Sequence, residues 1–212
     1  MVTELEKIEK RTIQYWFEDG IFEISLGVFL LLLALVFLGF TLAPQGSTLN
    51  FVLDVGFLPA FLFGAWIMKK LTRYLKEKLT YPRTGYVSYR KQPAGKRRAR
   101  AVIVGGSAAM LASLSALVFS HRYAGLAILP VVSGLAFGLA LGFIALRSGL
   151  ARVAGVAVLS ALAGVLLGLA GWPEMKALTV FYAVMAVALI VSGLAGCRLY
   201  LRRNPIPEER PQ

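Results

Sequence analysis

Few side chains in this sequence could do chemistry, and they fall into small groups. Glu18, Asp19 and Glu23 form an acidic cluster just ahead of the first apolar run. Glu23 lies at or just inside the interface, where an acid–arginine contact is the sharpest local expectation. Arg83 is the best-placed partner, because Pro82 and Gly85 in Tyr81-Pro82-Arg83-Thr84-Gly85 fix a turn that would return its guanidinium to the membrane surface. The plainer reading leaves Glu18 and Asp19 solvated while Glu23 reaches toward the head groups. Asp54 stands alone in a second apolar run. A carboxylate at the bilayer centre costs about 3 kcal/mol on insertion scales and marks a proton or ion pathway. Asp54 lies within a turn of its helix start, so a dipole-stabilised carboxylate at the outer surface, paired with Arg122 or facing His121, is the better fit.

Other chemistry has little to stand on. His121 and Cys197 are each the sole residue of their type, which excludes an intramolecular disulfide and a soft-ligand metal cluster. The sequence has no zinc-protease motif, Walker-type phosphate loop, nucleophile elbow or paired-carboxylate motif. No catalytic, cofactor-binding or metal-binding residue is therefore assigned, and a lipid-modifying enzyme with its site among Glu18, Asp19, Glu23 and Arg83 ranks last.

The elements that must position these residues are set by hydropathy. Of 212 residues, 58% are hydrophobic and only 16% charged, with mean hydropathy +0.70, a balance that soluble domains do not show. The apolar residues come in blocks near the length that a hydrocarbon core of about 30 Å demands. The expected fold is all-α, a polytopic membrane protein with a six-helix transmembrane bundle over residues 21–200. Its helices are expected at about 21–43, 51–69, 101–120, 125–146, 150–171 and 176–198.

Ahead of the bundle, residues 1–20 read as an amphipathic helix lying in the interface. Thr3 and Glu6 have capping-box spacing, Leu5, Ile8 and Thr12 share a face with Tyr15 or Trp16, and no cleavable signal peptide is expected. Residues 70–100 form a basic cytoplasmic loop and 201–212 a cytoplasmic tail. The break between the fourth and fifth helices rests on Arg147 and Arg152, which both need the inner surface.

Charge sets the orientation. In the six-helix arrangement all of the 23 Lys and Arg fall on one side except Arg122 and Lys176. The positive-inside rule makes that side the cytoplasm, with both termini there, in the plasma membrane of a prokaryote. Lys69, Lys70, Arg73, Lys96, Arg97 and Arg98 are the expected contacts to anionic lipid, at about 1 kcal/mol each near a charged leaflet. Tyr74, Tyr81, Tyr86 and Tyr89 interleave with these basic residues as stacking platforms do, but an interface already explains them and nucleic acid is not favoured.

Packing style changes along the chain. The first two helices are rich in Leu and Phe, whereas later ones carry Gly134, Gly138 and Gly142, then Gly164 and Gly168, at four-residue spacing that lets backbones approach. Helices three to six are thus expected to form the tight bundle, with one and two facing lipid. The first functional expectation is a non-enzymatic component associated with lipid, a protein partner or a second copy of itself. The alternative is a transporter or channel for a small solute, with Pro59 or Pro130 distorting a helix beside a cavity. Reporter fusions at residues 85 and 122 should report opposite sides of the membrane; the same side for both overturns the arrangement.

Overall fold

A chain that uses lipid as solvent must satisfy its backbone within each segment, so long apolar runs fold as helices. The computed structural model describes residues 14, 16–44, 46–84 and 127–205. Among these residues it is all-helical, and five helices are long and apolar enough to cross a membrane. They are α1 (Ile21–Leu42), α2 (Thr48–Leu75), α3 (Ile128–Ser148), α4 (Ala151–Leu169) and α5 (Glu174–Arg203). The chain is an integral membrane protein. The expected helix at 101–120, residues 85–100 of the basic loop, most of the N-terminal amphipathic helix and the last residues of the tail lie outside the described residues.

Local signals set the ends. Ser47 caps α2 by accepting from the amide of Asn50 at 3.1 Å. Gly149, at φ 71°, closes α3 with its amide on the carbonyl of Ala145 at 2.8 Å, a left-handed position that suits glycine and separates α3 from α4. Pro130 sits in the first turn of α3, where an amide is not needed, so it distorts nothing. Pro59 is likewise accommodated inside an unbroken α2.

The expected break at Tyr81-Pro82 is absent. After Leu75 the helix widens into a π turn over Lys76–Thr80, and Tyr81–Thr84 continue helically. In the wide turn the amide of Tyr81 bonds back to Lys76, which absorbs the register change at a proline without ending the helix. At 1.5 Å per residue, α2 and this extension span about 56 Å, more than a hydrocarbon core of about 30 Å, so one end projects beyond it.

Alternating directions bring the starts of α1 and α4 and the ends of α2, α3 and α5 to one end of the bundle, here the paired end. The remaining termini meet at the opposite end. Thr84 and Ala127 stand at opposite ends.

Packing departs from expectation in one respect. α1 is the most buried of the described spans rather than a mainly lipid-facing one; it packs most extensively against α5, while α3 and α4 form a second close pair. The cause is Gly20 and Gly27, two turns apart on one face, which let the backbone of α5 approach. A Cβ on Gly27 would lie 2.9 Å from the carbonyl oxygen of Ala186, and one on Gly193 would lie 2.7 Å from the carbonyl of Gly20. Phe29, Leu30 and Leu33 then reach a core with Phe181, Met185, Leu189, Leu141 and Val153. α2, by contrast, buries almost none of its apolar surface, as expected of a lipid-facing helix.

The α3–α4 pair uses the predicted glycines unequally. A Cβ on Gly134 would lie 2.6 Å from the Cα of Gly164, and one on Gly164 would lie 2.6 Å from the carbonyl of Pro130. Gly168 meets Val131 and the carbonyl of Ala127, and Ser160 donates to the carbonyl of Gly134 at 3.0 Å across the crossing. Gly138 is in looser contact with Ala157, and Gly142 faces open space. Gly142 is thus not a packing glycine: each four-residue step turns a helix by about 40° beyond a full revolution, and two steps carry the position off the contact face. In detergent unfolding titrations Gly164→Leu should destabilise by about 1–3 kcal/mol through overpacking. Gly142→Leu should stay within about 0.5 kcal/mol of the parent.

Candidate functional site: ion pairs at the entry to α1

The chain enters α1 through Gly20, whose φ of 68° turns the short helical segment at 16–18 sharply into the new axis. That turn leaves the carbonyls of Trp16 and Glu18 short of helical donors and that of Phe17 with the Gly20 amide at 3.2 Å, so all three can accept from side chains. It also places Asp19 and Glu23 on the inward side of the entry, where both are buried. Buried carboxylates need cations, and buried carbonyls need donors.

Lys76, from the π turn, answers the first need. Its Nζ lies 2.7 Å from Asp19 Oδ2, and its side chain is 3% exposed against 1% for the aspartate. The ammonium also donates to the carbonyl of Trp16 at 2.8 Å and sits 4.2 Å from the centroid of the Trp16 ring. Thr80, one turn further on, donates to Asp19 Oδ2 at 3.0 Å, and the amide of Ile21 donates to Oδ1 at 3.2 Å.

Arg152, in the first turn of α4, answers the second. Its Nε donates to Glu23 Oε1 at 2.9 Å, while Nη2 donates to the carbonyls of Phe17 at 2.6 Å and Glu18 at 2.9 Å. Ser192 of α5 donates to the other oxygen of Glu23. Gly196 of α5 has no side chain because the guanidinium occupies that space. One cation therefore joins α4 to the α1 entry, another joins α2 to it, and α5 closes the third side.

Three of the four residues expected to form an inner-face cluster meet here, but not with the expected partner. Asp19 and Glu23 are the acids, and Glu18 contributes its backbone carbonyl. Arg83 does not reach Glu23; its Nη1 donates to the carbonyls of Asn204 at 2.8 Å and Leu201 at 3.5 Å, capping the end of α5. The carbonyl end of a helix attracts cations, and α5 offers such an end within reach of the α2 extension.

At the opposite end, Asp54 accepts from Asn50 Nδ2 at 3.2 Å. Arg122 and His121 lie outside the described residues. Among the expected lipid contacts, Lys69 and Lys70 are exposed, with Lys70 Nζ 4.1 Å from the Trp66 centroid, while Arg73 Nε pairs with Glu77 at 2.8 Å. Lys96, Arg97 and Arg98 lie outside the described residues.

Lys76, Thr80, Arg152, Ser192 and Gly196 carried no sequence signal that named them as partners of these acids. The nearest hint was the need of Arg152 for a polar surface. Among the described residues no group of three His, Cys, Asp or Glu side chains is arranged to hold a metal ion. Comparison with protein-family profiles, with curated proteins and with solved structures finds no match.

Removing one member of a buried pair leaves an uncompensated charge, which costs about 3–5 kcal/mol. Lys76→Met should be destabilised by that order in detergent unfolding, and the double variant Asp19→Asn, Lys76→Met should recover much of the loss. The charge swap Glu23→Arg, Arg83→Glu should rescue neither single defect.

Proposed function

We propose that this chain is a non-enzymatic membrane component that works through helix packing and a basic surface in contact with lipid or a partner. The observation that carries this reading is the use made of its buried charge. Asp19 faces Lys76 and Glu23 faces Arg152, so each acid is neutralised by a cation of the same chain and spent on joining helices. A general acid or base needs a carboxylate free to exchange a proton with substrate, and these two are committed elsewhere.

Charge distribution supports the placement. Lys69, Lys70, Arg73, Lys78, Arg147, Arg202 and Arg203 gather toward the paired end, and Lys176 stands at the other. Under the positive-inside rule the paired end is cytoplasmic, and a prokaryotic plasma membrane is the setting we assign. Lys70 over Trp66, Lys78 over Tyr74 and Arg147 over Phe143 pair cations with rings at centroid distances of 4.1, 4.9 and 5.2 Å, an arrangement suited to the head-group layer. Between α3 and α4 a lateral groove of about 520 Å³, lined by Gly138, Gly142, Ala154, Val158 and Ala161, offers width for an apolar chain.

A second reading, passage of a small solute, is favoured by one feature, a cleft of about 620 Å³ lined in part by Asp54 at the opposite end. Purification in mild detergent followed by native mass spectrometry separates the two. Retained anionic lipid is expected, and exchange of both Lys69 and Lys70 for Gln should weaken its binding by about fivefold per charge. Solute flux in reconstituted vesicles, with no retained lipid or partner, would overturn the first reading in favour of the second.

A further inference from the structure

At the end of the bundle away from the ion pairs, a cleft of about 620 Å³ lies beside α1 and α2, well within the about 300–1,000 Å³ usual for small-molecule sites. Phe37 and Phe40 line it from α1, Ala43 from just past its end, Asn50, Asp54 and Phe57 from α2, and Met175 from α5. Asn50, Asp54 and Phe57 follow at four- and three-residue steps, which puts them on one helical face. Asp54 is about 9 Å along the helix from Thr48, inside the apolar run rather than beyond it.

The chemistry of this cleft is one-sided. The three phenyl rings stand around it with centroids 5.8 Å apart for Phe37 and Phe57, and 6.4 Å apart for Phe40 with either neighbour. None of these three stacks flat on another, so ring faces remain available to an occupant. Phe37 is fixed from behind by stacking on Tyr182 at 5.2 Å. The one charge is Asp54, whose carboxylate accepts from Asn50 and, among the described residues, is paired with no Lys or Arg. Lys176, near the rim, is held over the Trp172 ring at 4.9 Å.

Each class of occupant can be weighed against those walls. An anion is repelled by the carboxylate and by the negative faces of the rings. A hard metal cation needs about six oxygen ligands, and Asn50 and Asp54 supply too few. A wholly apolar occupant leaves the carboxylate desolvated and unpaired. A cation with apolar substituents satisfies both, its charge attracted by Asp54 and by the ring faces. We propose that this cleft binds an amphipathic organic cation, an ammonium or phosphonium centre, with its charge against Asp54 and its substituents among Phe37, Phe40 and Phe57. The proposal goes beyond the reading above and does not depend on it.

Such a cation is either a free solute or the ammonium head group of a lipid. The test uses the full chain in nanodiscs of phosphatidylglycerol, with radiolabelled tetraphenylphosphonium as probe and empty discs as background. Saturable binding is expected, at least tenfold weaker in Asp54→Asn, retained in Asp54→Glu, and several-fold weaker in Phe57→Leu, each variant melting like the parent. Tetraphenylborate, of the same shape and opposite charge, should not compete. Discs that also contain phosphatidylethanolamine identify the source: a raised Kd assigns the site to a lipid head group, an unchanged Kd to a free solute. Equal affinity in Asp54→Asn, competition by tetraphenylborate, or no saturable binding up to millimolar probe overturns the proposal. So does binding that emerges only in Arg122→Gln, because an arginine of the chain would then be the occupant.

Discussion

Asp19 and Glu23 lie one helical turn apart at the entry to α1, and both are shut away from water. An isolated carboxylate in that position would sooner take up a proton or pull the structure open than stay charged and dry. What permits the arrangement is a cation from a different helix on each: Lys76 from the extension of α2 and Arg152 from the start of α4. The same two cations saturate the carbonyls of Trp16, Phe17 and Glu18. The turn at Gly20, the position of α1 and the joining of three other helices to it depend on those contacts.

The rest of the packing follows the logic of lipid as solvent. Apolar side chains gain little from leaving hydrocarbon for a helix surface, so association depends on close approach and on polar contacts between helices. Gly20 and Gly193, Gly27 and Ala186, and Gly134 and Gly164 provide the first; Ser160 on the Gly134 carbonyl and Ser192 on Glu23 provide the second. α2 carries Gly56, Ala60 and Gly64 at four-residue spacing, but of these only Gly64 is buried, against the Phe29 ring, and α2 remains the most exposed of the described helices.

Hydropathy alone gives the spans among the described residues to within a few positions, because a bilayer imposes one length on all of them. The ends of α2 and α5 are harder, since a helix that leaves the hydrocarbon continues on propensity and partners; Arg83 capping α5 is one such partner. The central place of α1 is hidden for another reason. Its Gly27 and Ser25 are diluted among Leu and Phe, and a four-residue glycine repeat elsewhere draws the eye. Glu23 was legible as an acid in need of a cation, but the choice of Arg152 over Arg83 is a tertiary fact between residues 129 apart in sequence. No local pattern encodes that distance. Asp54 was legible as an unusual charge, while the phenyl walls beside it depend on which faces of α1 and α2 meet.

The same separation has a consequence for biogenesis. The nascent chain inserts α1 long before Arg152 has been synthesised; at about 5–20 residues per second the wait is roughly 6 to 26 s. During that interval Glu23 has no arginine, so the first hairpin can only be provisionally seated. Its final docking must wait for the second half of the polypeptide, first for Arg152 of α4 and then for α5, against which α1 packs most extensively.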